Sequence, residues 1–173
     1  SHEGTIIKAQ IHVAKNEFAE GITLLQGYLK DNPKSPAGHY YLGLAQFGNR
    51  EVQQAKASIA EAIKLNPRWL EPRLVLADLA ISTGDSKTAI ETLQAVLKED
   101  PRNARALMSL GNAYAVRSDW AKAESVFDEL IRVSPQNAMA YVQSGRVYLA
   151  RKQEKEALAR FEKALTLQPG AAE

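Results

Sequence analysis

Gln10, Leu44, Asp78, Asn112 and Arg146 follow one another at intervals of 34 residues, and four of the five are polar. Amide, carboxylate and guanidinium groups repeated on one beat can donate and accept hydrogen bonds in a fixed order. That is the chemistry of recognition rather than of bond breaking. Each sits between apolar neighbours four residues before and three after, as in Ile6-Gln10-Val13, Tyr40-Leu44-Phe47, Leu74-Asp78-Ile81, Met108-Asn112-Ala115 and Val142-Arg146-Leu149. Steps of four and three mark one face of a helix. Polar groups amid apolar ones suit a surface that orients a peptide by hydrogen bonds and holds it by apolar contact.

Side chains that could do covalent or metal chemistry lack the company they need. Of the three histidines, His2 falls in "SHEG", which reads as an expression-tag remnant. None of His2, His12 and His39 has the i, i+4 pairing with acids that a helical metal site requires. His39 has Leu107 and Tyr141 as counterparts, which points to packing between helices. Cysteine is absent, excluding thiolate ligands, disulfides and a cysteine nucleophile. No glycine-rich loop opens a helix to cradle phosphate, no Ser-His-Asp set has supporting context, and Asp128-Glu129 reads as solvated helix surface. A non-catalytic chain with no cofactor and no metal is expected.

Composition narrows the class further. The chain has 173 residues, 45% of them hydrophobic, enough for a sizeable core. Lys and Arg number 22 against 20 acids, a net charge of +2 with both signs interspersed. No basic face or aromatic platform emerges, so nucleic acid is not an expected partner. No stretch approaches the roughly 18 uncharged residues of a membrane span, so membrane insertion is not expected either. A soluble chain is expected, and lack of cysteine suits a reducing or an oxidising compartment equally, so it locates nothing.

The elements that must position the stripe come from the same beat. Pro33, Pro67, Pro101, Pro135 and Pro169 share the 34-residue interval, and a fixed period in this range signals stacked repeats. Counting back from each proline gives three apolar or small rows: Tyr28, Ala62, Val96, Leu130 and Ala164; Leu25, Ile59, Leu93, Phe127 and Phe161; Gly21, Ala55, Ala89, Ala123 and Ala157. These rows form one helix face, and each proline ends its helix by forcing the preceding residue out of the α region. Asn32, Asn66, Asp100 and Ser134 add turn chemistry there. A second helix lies upstream, carrying Leu42-Gly43, Leu76-Ala77, Leu110-Gly111 and Ser144-Gly145. Glycine recurring inside a helix, at a cost of about 1 kcal/mol, indicates close approach of another helix. Between the two helices run "GNRE", "TGDS", "RSDW" and "RKQE", with Asp85 and either Ser118 or Asp119 as N-cap candidates.

A 34-residue helix-turn-helix unit with Leu-Gly, Tyr, Ala, Phe and Pro resembles the tetratricopeptide repeat, and "LGNAYAVRSDWAKAESVFDELIRVSP" (110–135) is similar to its consensus almost throughout. The resemblance covers five repeats, about 2–35, 36–69, 70–103, 104–137 and 138–171, a single array over 1–173. The first departs, with Lys8, Ala9 and His12 in place of Leu, Gly and Tyr-like residues and Gly21 in place of alanine. The chain stops at "QPGAAE" with no further helix over the fifth unit, which reads as a fragment of a longer protein with an exposed apolar face on Leu158, Phe161, Leu165 and Leu167.

The resemblance implies an all-α, right-handed superhelical α-solenoid of helix-turn-helix repeats whose concave groove binds peptides. The implied groove residues are Tyr40, Leu44, Phe47, Leu74, Asp78, Ile81, Met108, Asn112, Val142 and Arg146. Family members that grip a terminal carboxylate use lysine where this chain has Ile6, Tyr40 and Leu74, so Asn112, Arg105 and Arg146 are only partial echoes of that clamp. Trp69 replaces the Asn103 and Asn137 of other units and reads as a hydrophobic staple with Leu70, or else as a partner contact. The expected function is a protein-interaction scaffold for a protein or peptide partner. The alternatives are an assembly module that self-associates through its repeat ends, or an accessory domain of a bacterial envelope or exopolysaccharide export protein.

Overall fold

The computed structural model describes residues 2–167, and among them there are ten α-helices and no strand. The first helix of each repeat is α1 (His2–Ala14), α3 (Pro36–Gly48), α5 (Leu70–Ser82), α7 (Ala104–Val116) or α9 (Ala138–Ala150). The second is α2 (Phe18–Asp31), α4 (Val52–Leu65), α6 (Ser86–Glu99), α8 (Trp120–Val133) or α10 (Glu154–Leu167). The fold is an all-α solenoid of helical hairpins. Pro169 and "QPGAAE", on which the last stop and the missing helix were read, lie outside the described residues.

Local chemistry sets many of the helix boundaries. Ser35, Asn103 and Asn137 cap α3, α7 and α9, each accepting a hydrogen bond from the backbone N–H three residues on, at 3.0, 2.9 and 3.2 Å. Such caps satisfy amides that the first helical turn leaves unpaired. Asn32, Asn66, Asp100 and Ser134 close the second helices, donating backbone N–H to Tyr28, Ala62, Val96 and Leu130. Between the two helices of each repeat the chain reverses through one residue in the left-handed region: Asn16, Arg50, Gly84, Ser118 and Lys152, with φ of 58–80°. The following N–H reaches back over the turn, as Glu17 to His12, Glu51 to Gln46, Asp85 to Ala80, Asp119 to Tyr114 and Gln153 to Tyr148, all at 2.8–2.9 Å. This is a Schellman closure, and here it also supplies the residue that starts the second helix.

Asp85 and Asp119 both take the N-cap position expected of them, and only Asp85 makes the cap bond. Asp85 accepts from the Thr88 amide at 3.2 Å. Ser118, however, is the left-handed turn residue, and Asp119 occupies the cap position without a side-chain cap bond. Its carboxylate meets Lys122 at 3.0 Å instead.

Contacts divide the chain into two compact units, residues 1–79 and 80–173. In the first unit, Ile22 and Leu25 of α2 pack with Ala9 of α1 and with Leu42 and Ala45 of α3, and Leu29 and Tyr41 cover the edge. A second cluster joins Tyr40, Ala55, Ile59, Ala62, Val75 and Leu79. In the second unit, Ala89, Leu93, Val96, Ala123, Phe127, Leu130 and Ala157 are at most 1% exposed, which is the buried face expected of the second helices. The glycines at the repeated register do mark close approach, and the partner is the second helix of the same repeat. A Cβ at Gly43 would stand 2.7 Å from Ile59, one at Gly111 2.4 Å from Phe127, and one at Gly145 2.6 Å from Phe161.

Trp69 and His39 both find partners that the sequence did not disclose. Trp69 packs on the core of the first unit, and its ring meets Tyr40 with centroids 4.7 Å apart and interplanar angle 55°. A large ring at the end of a repeat buries more apolar area against the first helix of that repeat than against an adjacent leucine. His39 does not wedge between helices. Its Nε2 donates to the Pro33 carbonyl at 2.8 Å, Tyr141 donates likewise to Pro135 at 3.2 Å, and Arg73 reaches Pro67. Three repeats thus fasten the proline turn with a side chain from the helix that follows it.

Candidate functional site

The stripe residues divide by burial. In the first unit, Tyr40 is 7% and Leu74 2% exposed, so both give their rings and methyls to the interior and offer a ligand little surface. Phe47 is 41% exposed, and Leu44 and Asp78 are half-buried. The first-unit groove expected from five residues therefore reduces to three. In the second unit, Ile81, Met108, Asn112 and Val142 are half-buried and Arg146 is exposed.

Asn112 of α7 and Arg146 of α9 open into one cleft of about 420 Å³, floored by Phe127 and Val147 and walled by Val116, Trp120 and Gln143. The 34-residue spacing produces this pairing, because equivalent positions on successive first helices face the same way. Val116 is 62% exposed and gives the cleft an apolar lip. Among the described residues Arg146 meets only the Gln143 amide oxygen, at 3.5 Å, so its charge is not consumed by a carboxylate. The cleft thus offers a guanidinium, two amides and an indole over an apolar floor. That set can grip an acidic or amide-bearing side chain while burying an apolar one beside it.

Charge on the opposite faces of α8 and α10 is used internally. Glu124 accepts from the Tyr148 hydroxyl at 3.3 Å and pairs with Arg151. Arg160 bonds Asp128 at 2.9 Å and lies 5.6 Å over the Tyr148 ring. Asp128 and Glu129, adjacent in sequence, point to different partners. Glu129 takes two hydrogen bonds from Arg132, at 2.6 and 2.7 Å, and this holds its carboxyl below the usual carboxylate range. Sequence reading missed this network, whose members fall at no common register.

His12, unpaired by helical spacing, meets Glu17 at 2.7 Å across the first turn. No group of three or more metal-ligating side chains comes together among the described residues. None of their helices is long and apolar enough to cross a membrane.

Residues 7–141 match the family described as the cytochrome c-type biogenesis protein H TPR domain, and residues 117–172 match a tetratricopeptide repeat family. No protein of curated function matches in sequence. Among solved structures, MamA is similar with a TM-score of 0.82 and 22% identity, over 99% of this chain and 93% of that one. MamA from Desulfovibrio magneticus RS-1 gives 0.87 and 19%, over 99% and 97%. YrrB, described as a TPR protein with an unusual peptide-binding site, gives 0.75 and 19%, over 96% and 86%. These structures share the fold. With hairpins, turns and glycine contacts repeating on one 34-residue beat, the chain belongs to the tetratricopeptide repeat family, in the class of the cytochrome c-type biogenesis protein H TPR domain.

Proposed function

We propose that the chain is a non-catalytic scaffold whose cleft between α7 and α9 takes up a short peptide segment of a partner protein. The observation that carries this is the meeting of Asn112 and Arg146 in one apolar-floored cleft, with the arginine free of any carboxylate among the described residues. A bound acidic side chain would satisfy Arg146, and Asn112 would take a backbone group of the same segment. An apolar residue beside it would settle against Trp120 and Val116. Met108 and Val142, at the start of their stripes, would extend the contact. Leu44, Phe47 and Asp78 offer the first unit a similar, smaller surface. The peptide-binding site ascribed to YrrB supports the same kind of use on the same fold.

Selection from a displayed random peptide library tests the reading. The parent chain should enrich sequences that place an apolar residue beside an acid, and an Asn112→Ala, Arg146→Ala double variant of equal helicity should lose them. No enrichment, or equal enrichment by both proteins, would remove the cleft from consideration.

A further inference from the structure

The chain has two methionines, and they stand in different settings. Met108 of α7 is half-buried, whereas Met139 of α9 is 50% exposed. The counterparts of Met139 in the 34-residue register are Arg105, Glu71 and Ala37, so the position requires no apolar side chain and packing does not account for a thioether there. An exposed thioether is open to oxidants, which convert it to a polar sulfoxide that reductases can reverse.

The neighbour one turn along gives that oxidation a consequence. Gln143 donates its side-chain Nε2 to Sδ of Met139 at 3.9 Å, and its Oε1 accepts from Arg146 at 3.5 Å. Spacings of four and three set the three side chains along one side of α9, and Gln143 and Arg146 both line the α7–α9 cleft. Thioether sulfur is a weak acceptor, so the reduced protein readily yields the Gln143 donor to a ligand. An oxygen added to that sulfur is a strong acceptor within reach of the same N–H group. We propose that Met139 is a modification site, oxidised reversibly to the sulfoxide, and that its oxidation withdraws Gln143 from the cleft. In the step, a peroxide transfers one oxygen to a sulfur lone pair and its O–O bond breaks. The sulfur loses two electrons, and the departing oxyanion takes up a proton. Nε2 then stays on the sulfoxide oxygen, and the cleft is left with one of the two amides it offers a peptide. The effect on binding rests on the cleft reading above; the modification and its new hydrogen bond do not.

Peroxide treatment of the 173-residue chain, followed by mass spectrometry and side-chain amide NMR, tests the modification without any ligand. Met139 should reach the sulfoxide several-fold faster than Met108. The Gln143 amide resonances, assigned by their loss in Gln143→Leu, should shift while helicity stays constant. Equal or faster oxidation of Met108, or a Gln143 amide that does not respond, would overturn the proposal. A methionine-free peptide from the library selection then reads the cleft. The oxidised parent should bind it several-fold more weakly, and methionine sulfoxide reductase should restore the affinity. Met139→Leu should bind as the parent does and lose nothing to peroxide, and Gln143→Leu should bind weakly in both states. An oxidised parent that binds as tightly as the reduced one would overturn the regulation. A parent that binds no peptide in either state would instead remove the cleft reading, and the regulation with it.

Discussion

A Cβ placed on Gly111 would lie 2.4 Å from Cε1 of Phe127, and 2.6 Å from its Cζ. The phenyl ring is 1% exposed, so making room for the methyl means moving a buried side chain. Gly111→Ala should therefore destabilise the chain by about 1–3 kcal/mol through overpacking, despite alanine's better helix propensity. Gly27, in the middle of α2, has nothing within 4 Å of an added Cβ, so Gly27→Ala should stabilise by about 0.5–1 kcal/mol. Opposite signs in urea denaturation are the expected result; equal signs would mean the glycine contact is not rigid.

The left-handed turns make a second prediction. Ser118 and Lys152 hold φ of 58° and 60°, a region that costs an L residue about 1 kcal/mol. Ser118→Gly and Lys152→Gly should each raise stability by up to about that amount, less the added flexibility of the unfolded chain. Gly84, at φ 80°, should behave in the reverse sense, with Gly84→Ala lowering the midpoint of denaturation.

Capping gives a third. Removing the Asn103 side chain leaves the Ala106 amide, now bonded at 2.9 Å, without its acceptor. Asn103→Ala should cost about 1 kcal/mol and Asn103→Gly only a few tenths. Thermal melts of the two variants should be visibly separated.

Ser144 is fully buried, and its hydroxyl has no hydrogen-bond partner among the described residues. It occupies the register of Leu42, Leu76 and Leu110. Ser144→Ala removes a stranded polar group and should stabilise by about 1 kcal/mol. A loss of stability instead would show that the hydroxyl has a partner in solution.

Much of this was legible because the prolines fix a register. Counting back from Pro135 places Leu130, Phe127 and Ala123 on one face, and all three are at most 1% exposed. Residue type alone could not reveal the turn conformations. Of the five left-handed positions only Gly84 and Asn16 favour that region, while Arg50, Ser118 and Lys152 are held there by the amide that reaches back across each turn. Backbone closure overrides side-chain preference at those sites.

The candidate site was legible in its middle and less so at its rims. Asn112 and Arg146 meet in one cleft because equal register on successive first helices puts them on a common face. Tyr40 and Leu74 share that periodicity, yet they are buried. A helix apolar on two faces does not disclose which face its neighbours will cover. Trp69 hid its partner for a related reason: the ring it stacks on lies in the first helix of its own repeat, remote along the chain.

The most direct measurement is calorimetric titration of a library-selected peptide into the parent chain and into Arg146→Ala. Arg146 makes no carboxylate contact within the described protein, so its removal should leave folding unchanged. Loss of a charged hydrogen bond to the ligand should then weaken binding about tenfold or more, roughly 1.4 kcal/mol. An affinity unchanged in Arg146→Ala, with equal helicity in both proteins, would contradict the cleft between α7 and α9 as the binding site.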